Sequence, residues 1–129
     1  MVIASLTNEL IASGEYLILQ LDRGEFRPDA AFWLYNSEAG VWKLVIAGGR
    51  VSKYGSKDVY RAIQKVLKSQ RPHLHGLELD DISISRSNSE LVKLLRSAIR
   101  TGWKIAGIRF TSNVVNGTLI DDAYIYRLV

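Results

Sequence analysis

The chain has 129 residues, enough for one domain with a hydrophobic core, and its 47% hydrophobic and 23% charged residues exclude a disordered protein. It contains no cysteine, which excludes a disulfide framework, a thiolate nucleophile and a cysteine-based zinc site. Lysine and arginine together number 17 against 13 acidic residues, and this net charge of +4 favours anionic partners only weakly.

The N-terminal segment is predicted to form one or two helices between about Ala4 and Arg23. Its aliphatic residues recur at helical spacing: Ile3, Leu6, Leu10, Ile11, Leu17, Ile18 and Leu21. We expect Gly14 to kink or break this helix and Gly24 to end it in the left-handed conformation. Residues Tyr16–Leu21 would also tolerate a strand, but the helical pattern favours the first interpretation.

The same segment has the composition of neither a secretion signal nor a membrane span. Asn8 and Glu9 interrupt its apolar run, and no positively charged region precedes that run. No stretch of the chain approaches the ~18 consecutive apolar residues that a spanning helix needs. Together with the lack of cysteine, these features predict a cytoplasmic protein without a membrane partner.

A β-hairpin is predicted next, with strands Ala31–Tyr35 and Val41–Ile46 joined by the polar and glycine-containing loop Asn36–Gly40. The first strand carries large apolar residues on both faces, which is typical of a strand covered on both sides. In the second strand the side chains alternate between two faces, Trp42, Leu44 and Ile46 against Val41, Lys43 and Val45. We therefore expect this hairpin to lie deep inside the domain.

An amphipathic helix is predicted from about Ser56, as its N-cap, to Gln70. Its apolar residues share one side: Val59, Tyr60, Ile63, Val66 and Leu67. Its basic residues share the opposite side: Lys57, Arg61, Lys65 and Lys68. A short strand at about Asp81–Ser85 follows, with its isoleucines facing inward.

The C-terminal part is predicted to be a helix followed by a second hairpin. Ser87 and Glu90 match a capping box, and Gly102 is expected to end the helix. The buried stripe is expected to be Leu91, Leu94, Leu95, Ala98 and Ile99. Its outer row is basic: Lys93, Arg96 and Arg100.

The second hairpin spans Lys104–Val129 and is closed by Asn116-Gly117, a strong signal for a type I′ turn. Such a turn sets Val115 opposite Thr118 and fixes the rest of the register. The predicted core-face pairs are Ile108 with Ile125 and Phe110 with Ala123. The predicted pairs on the other face are Arg109 with Tyr124, Gly107 with Tyr126 and Thr111 with Asp122.

These elements define a single α+β domain over residues 1–129. Two of the strand connections are hairpins, so we expect a mostly antiparallel sheet of about five strands. Three to four helices are expected to pack against it.

The central hairpin and the helix after it carry a pattern made of Ala31, Trp33, Tyr35, Gly40, Trp42 and Lys43–Ala47, followed by Val59–Gln64. This pattern resembles a small group of uncharacterised bacterial proteins. The resemblance covers about the middle third of the chain and consists mostly of core positions. It implies no activity, and no functional residue is carried over from it.

Three groups of residues are candidates for binding. The first is the basic row Lys57, Arg61, Lys65 and Lys68, which would track a phosphate backbone, or else form a solvated helix face. The second is the row Lys93, Arg96 and Arg100, which would extend the first if the two helices lie side by side. The third is Arg109 with Tyr124 and Tyr126, a potential stacking platform for bases, or else a sheet face covered by the first helix or a second subunit.

Two weaker candidates involve anion binding and hydrolysis. The Gly48-Gly49 loop, with Arg50, Lys53 and Ser56, would form an anion pocket, although it does not match the P-loop pattern. His73 and His75, with Asp80 and Asp81 nearby, would serve as metal ligands or as acid and base. A third fixed metal ligand is not evident from the spacing, and the two aspartates are also explained as residues that begin a strand.

The sequence thus favours a binding or accessory protein that acts through its surfaces rather than through chemistry, without a cofactor or metal. The partner itself is not identified. A protein partner or self-association, resting on Tyr124 and Tyr126, is favoured, and nucleic acid is the sharpest hypothesis. The enzymatic alternative is a small nuclease or phosphoester hydrolase that uses His73 and His75.

Overall fold

A five-stranded mixed sheet organises the chain in a computed structural model, which describes residues 3–48 and 55–129. The order across the sheet is β3-β2-β1-β5-β4, and every neighbouring pair is antiparallel except β2 and β3. The three helices and five strands of the described residues are α1 Asn8–Asp22, β1 Ala30–Asn36, β2 Val41–Ala47, α2 Ser56–Ser69, β3 Ile82–Ser85, α3 Glu90–Ala98, β4 Ile108–Val115 and β5 Thr118–Leu128.

The α+β class and the two hairpins are confirmed, and the sheet is antiparallel apart from one pair. The parallel pair joins Leu44 to Ile82 and Ile46 to Ile84. Helix α2 lies between these strands in the sequence and brings the chain back so that it enters β3 in the direction of β2. None of the helices in the described ranges is long and apolar enough to cross a membrane.

Both faces of the central strand β1 are buried, as its sequence predicts. Trp33 lies among residues of α1 and α2, including Leu17 and Ile63, and we call this side the α1/α2 face. Phe32 lies among residues of α3 and β5 on the opposite side, which we call the α3 face. Both rings are fully buried. Helices therefore cover the sheet on both sides, and the amphipathic helices α2 and α3 lie on opposite faces.

Helix α1 is continuous, so the predicted break at Gly14 is wrong. Thr7 caps it by accepting a hydrogen bond from the Leu10 N–H at 3.2 Å, and residues 16–21 are helical. Gly14 is there because a side chain would not fit: a Cβ would contact the Tyr126 hydroxyl and lie 3.0 Å from Trp33 Nε1. The helix ends with Arg23 in the right-handed region, and Gly24 does not adopt the positive φ that we expected.

Helix α2 and its cap begin one residue earlier than predicted. Gly55 is the N-cap with φ +83°, and Ser56 is the first helical residue, without a side-chain capping bond. The buried side of the helix is Val59, Ile63 and Leu67, as expected from the 3.6-residue period.

Helix α3 is shorter than predicted at both ends. Ser89, rather than Ser87, is the N-cap, since its hydroxyl accepts from the Val92 N–H at 3.3 Å. The helix stops at Ala98, before Gly102, because the following chain extends to the end of β5, where the Thr101 N–H donates to the Leu128 carbonyl at 2.8 Å. Val92 is buried and Ala98 is exposed, which corrects the predicted stripe.

The second hairpin has the predicted register. Val115 pairs with Thr118 across Asn116 and Gly117, whose φ values of 48° and 81° match a type I′ turn. The other predicted pairs are also present: Ile108 with Ile125, Arg109 with Tyr124, Phe110 with Ala123 and Thr111 with Asp122. The pair of Gly107 with Tyr126 is not part of the ladder, because Gly107 has φ +68° and the Ala106 N–H binds the Tyr126 carbonyl instead.

The hairpin changes faces at Ser112, which has a φ of +47°. The paired residues before and after this point keep one register, but the ladder skips the position. Beyond it Val115 and Ile120 enter the core of the α3 face, whereas Val114 and Leu119 are 67% and 58% exposed. Strict alternation from Phe110 and Ala123 would have buried Val114 and Leu119 instead.

Candidate nucleic-acid interface and neighbouring surfaces

The solvent side of α2 forms a row of four exposed cations, Lys57, Arg61, Lys65 and Lys68, which we call the α2 cationic face. Burial of Val59, Ile63 and Leu67 against the sheet orients this row outward. At a rise of about 1.5 Å per residue the row is roughly 16 Å long.

Little negative charge accompanies the α2 cationic face. Arg61 lies 3.9 Å from Asp58, and both side chains are more than half exposed, so this pair contributes little. Within the part of the chain that the structure describes, the three lysines have no ion-pair partner. The face is therefore free to bind an external anion.

The second basic row lies on the other side of the sheet, so it does not extend the first. Arg96 is only 15% exposed and is held by Asp29 at 2.8 Å and by the Ser87 carbonyl at 2.6 Å. Lys93 lies 3.3 Å from Glu90. Arg100 follows the end of α3 and is exposed. Arg96 thus joins α3 to the start of β1, a structural role that the sequence pattern did not reveal.

The group of Arg109, Tyr124 and Tyr126 is mostly engaged in contacts within the protein. Tyr126 is 1% exposed beneath α1, and Tyr124 packs edge-on against it at a ring-centroid distance of 5.3 Å. Arg109 binds both carboxylate oxygens of Asp122 at 2.7 and 2.6 Å, and this hydrogen bonding raises the pKa of the guanidinium. The first helix therefore covers the tyrosine face, and Tyr126 is not accessible to a base or a second subunit.

The Tyr126 hydroxyl is the centre of a buried hydrogen-bond chain. It accepts from Trp33 Nε1 at 2.9 Å and donates to the Ile11 carbonyl of α1 at 2.6 Å. Burial raises the pKa of this phenol well above its usual value, and the hydrogen bond from Trp33 opposes the shift only in part.

We expect Tyr126 to lower the stability of the protein in alkali. In the unfolded chain the phenol ionises near pH 10.0, whereas in the folded protein it keeps its proton to a higher pH. The unfolded state thus ionises first, and this contribution to stability, complete below pH 10.0, decreases by up to about 1.4 kcal/mol per pH unit above it. Urea unfolding from pH 9 to 11.5 should show a shallower alkaline decrease for Tyr126→Phe than for the wild type. Equal slopes would contradict the assignment.

The residues of the predicted histidine cluster make separate local contacts. The His73 ring stacks on Tyr16 at 4.6 Å, and the His75 main-chain carbonyl accepts from the Ser13 hydroxyl at 3.2 Å. Asp81 is buried, which raises the pKa of its carboxyl, and it accepts from the Glu78 N–H at 2.9 Å. Asp80 is exposed, and its carbonyl binds Lys43. No group of three or more potential metal ligands exists among residues 3–48 and 55–129.

Most of the predicted anion loop lies outside the described residues, including Gly49, Arg50 and Lys53. Of the group, Gly48 and Ser56 are described, and Ser56 begins α2.

Sequence reasoning missed a cavity beside α1. Trp103, which directly follows Gly102, is 41% exposed, and the Arg27 guanidinium lies 3.9 Å from the centroid of its ring. The available signal was the isolated tryptophan in a short loop between α3 and β4, followed by a lysine. Its pairing with Arg27 depends on the tertiary fold and has no local pattern.

The fold and surfaces define a small α+β domain whose mixed sheet is covered by helices on both faces. The chain matches no family model, no curated protein and no solved structure.

Proposed function

We propose that this protein binds nucleic acid through the α2 cationic face and acts as a binding protein rather than an enzyme. The observation that supports this proposal is a row of four exposed cations with almost no compensating acid on a helix anchored by its buried side. Phosphate groups placed at intervals along a strand match such a linear array of charges.

The chemistry of the row indicates contact with the backbone rather than with base edges. Three of its four cations are lysines, whose ammonium groups act as point charges without the planar fork that reads guanine or a bidentate phosphate. Phosphate contacts of this kind position a protein on nucleic acid but carry no sequence information. We therefore expect binding with little sequence preference.

Fluorescence anisotropy of labelled single- and double-stranded DNA and RNA tests the proposal. If all four cations contact phosphates of duplex DNA, affinity should fall roughly 100-fold between about 50 mM and about 200 mM salt. Comparison of the single- and double-stranded probes identifies the form of nucleic acid that the protein prefers. Absence of binding at low salt, or binding that is insensitive to salt, would contradict the proposal.

Two double variants with matched charge separate the α2 cationic face from a general effect of basicity. Lys65→Glu/Lys68→Glu changes the face, whereas Lys93→Glu/Arg100→Glu changes exposed residues of the opposite side of the sheet. Each double variant lowers the formal net charge from +4 to zero, because each substitution of a cation by glutamate removes two units of charge. The first variant should lose at least ~10-fold in affinity at low salt and the second much less. Equal losses would show that net charge alone drives binding.

A second candidate function is protein–protein interaction, favoured by the exposed apolar pair Val114 and Leu119 at the end of the second hairpin. These side chains are paired across the two strands and belong to neither core cluster. Sizing of the free protein in the same experiments separates the two functions. A stable dimer that dissociates in Leu119→Ser would favour this surface over the α2 cationic face.

A further inference from the structure

A shallow cavity of about 410 Å³, open to solvent, lies between α1 and the loop that precedes β4. Leu19 and Trp103, two of the four large hydrophobic residues exposed in the described chain, line it together. Arg27 and Lys104 add positive charge, and Glu15 adds one acid, while a second lining acid, Asp22, is paired with Arg127, which also lines the cavity. A volume of this size is in the range of small-ligand sites, which begin at about 300 Å³.

The tryptophan of this cavity is held in place by a buried cation. Arg127, 2% exposed, donates from Nε to the Trp103 carbonyl at 2.6 Å. Its remaining nitrogens bind both carboxylate oxygens of Asp22 at 2.8 and 2.7 Å and the Pro28 carbonyl at 3.0 Å. The loop is thus joined to α1 and to the start of β1, so the exposed ring is a preorganised part of the cavity.

Arg27 covers the Trp103 ring from an exposed position. Its guanidinium lies 3.9 Å from the ring centroid, and the residue is exposed. Exposed cation–π contacts are weak, so another planar group can replace the guanidinium at small cost. Once displaced, Arg27 is available to pair with an anionic group on the incoming molecule.

We propose that this cavity binds a small molecule that carries one planar aromatic ring and one anionic group. The ring stacks on Trp103 against Leu19, and Arg27 with Lys104 binds the anion. Glu15 at the same cavity disfavours a ligand with several anionic groups. A nucleoside monophosphate and an aromatic carboxylate share this chemistry.

Tryptophan fluorescence is a direct readout, because Trp33 is fully buried and Trp42 is 5% exposed, whereas Trp103 is 41% exposed. The chain has three tryptophans in all. The probes are AMP, UMP and phenylacetate, with adenosine, uridine and phenylacetamide as uncharged counterparts. We expect at least one anionic probe to quench the fluorescence saturably. Its affinity should be at least ~10-fold higher than that of its uncharged counterpart. The two kinds of probe distinguish a nucleotide from a carboxylate.

Variants separate this site from the α2 cationic face. Calorimetry should show that Trp103→Leu and Arg27→Met each lower the affinity for the anionic probe at least ~10-fold. Arg23→Met, a nearby exposed arginine that does not line the cavity, should leave affinity unchanged. Lys65→Glu/Lys68→Glu should also leave it unchanged, so this proposal and nucleic-acid binding can fail independently. Absence of saturable binding by every anionic probe, or equal binding by folded Trp103→Leu, would overturn the proposal.

Discussion

Replacing Arg127 by methionine is expected to lower the free energy of unfolding by about 3–5 kcal/mol. The guanidinium is buried, and it binds the Asp22 carboxylate and the carbonyls of Pro28 and Trp103. Its removal leaves these acceptors without donors and a partly buried carboxylate without its counter-ion. Urea unfolding followed by far-ultraviolet circular dichroism measures the loss. If Arg127→Met does not fold, Asp22→Asn provides a milder break of the same pair.

The Arg109–Asp122 pair is a matched control for this prediction. It is also bidentate, at 2.7 and 2.6 Å through Nε and one terminal nitrogen, but Arg109 is 47% exposed in its side chain. Because solvent screens the exposed pair, Arg109→Met should cost about 1 kcal/mol or less. Similar losses at the two sites would show that burial does not determine the contribution of Arg127.

Replacing Gly14 by alanine is expected to destabilise the protein by about 2–4 kcal/mol, although alanine is the better helix former. The new Cβ would overlap the Tyr126 hydroxyl and lie 3.0 Å from Trp33 Nε1, so α1 must move or the hydrogen bonds must break. Gly24→Ala is the control, because its nearest neighbour is the Leu21 carbonyl at 3.7 Å and its backbone is not left-handed. We expect Gly24→Ala to change stability by at most ~0.5 kcal/mol.

A double-mutant cycle tests the cause of the Gly14 effect. Tyr126→Phe removes the oxygen that the new methyl group would meet, while the ring carbon at 3.0 Å remains. Gly14→Ala should therefore cost less in the Tyr126→Phe background than in the wild type. Additive losses in thermal or urea unfolding would show that the close approach to Tyr126 is not the reason for glycine at this position.

The sequence predicted those features that local chemistry determines. Asn116-Gly117 alone set the register of the second hairpin, because both residues accept the positive φ of a type I′ turn. The apolar residues on both faces of β1 predicted its central place in the sheet. The period of α2 identified its buried side and hence the α2 cationic face.

The remaining features depend on contacts between distant residues. Gly14 was interpreted as a helix breaker, since nothing near it in sequence indicates the hydroxyl of Tyr126. Asp29 and Arg96 are 67 residues apart, so their ion pair could not be inferred from spacing. The two basic rows lie on opposite faces of the sheet because of the strand order. That order includes the parallel β2–β3 pair, which no local pattern specified.

The left-handed backbone conformation of Ser112 also limits hydrogen bonding at the exposed edge of the sheet. Strand β4 lies at that edge, where a flat strand of eight residues would present an uninterrupted line of unpaired N–H and C=O groups. The break at Ser112 divides this line into separate segments, 108–111 and 113–115, that do not share one plane of hydrogen bonding. A second molecule would find only a few continuous backbone partners there. Edge-to-edge polymerisation into fibrils is thereby disfavoured, even though the apolar side chains of Val114 and Leu119 lie beside the break.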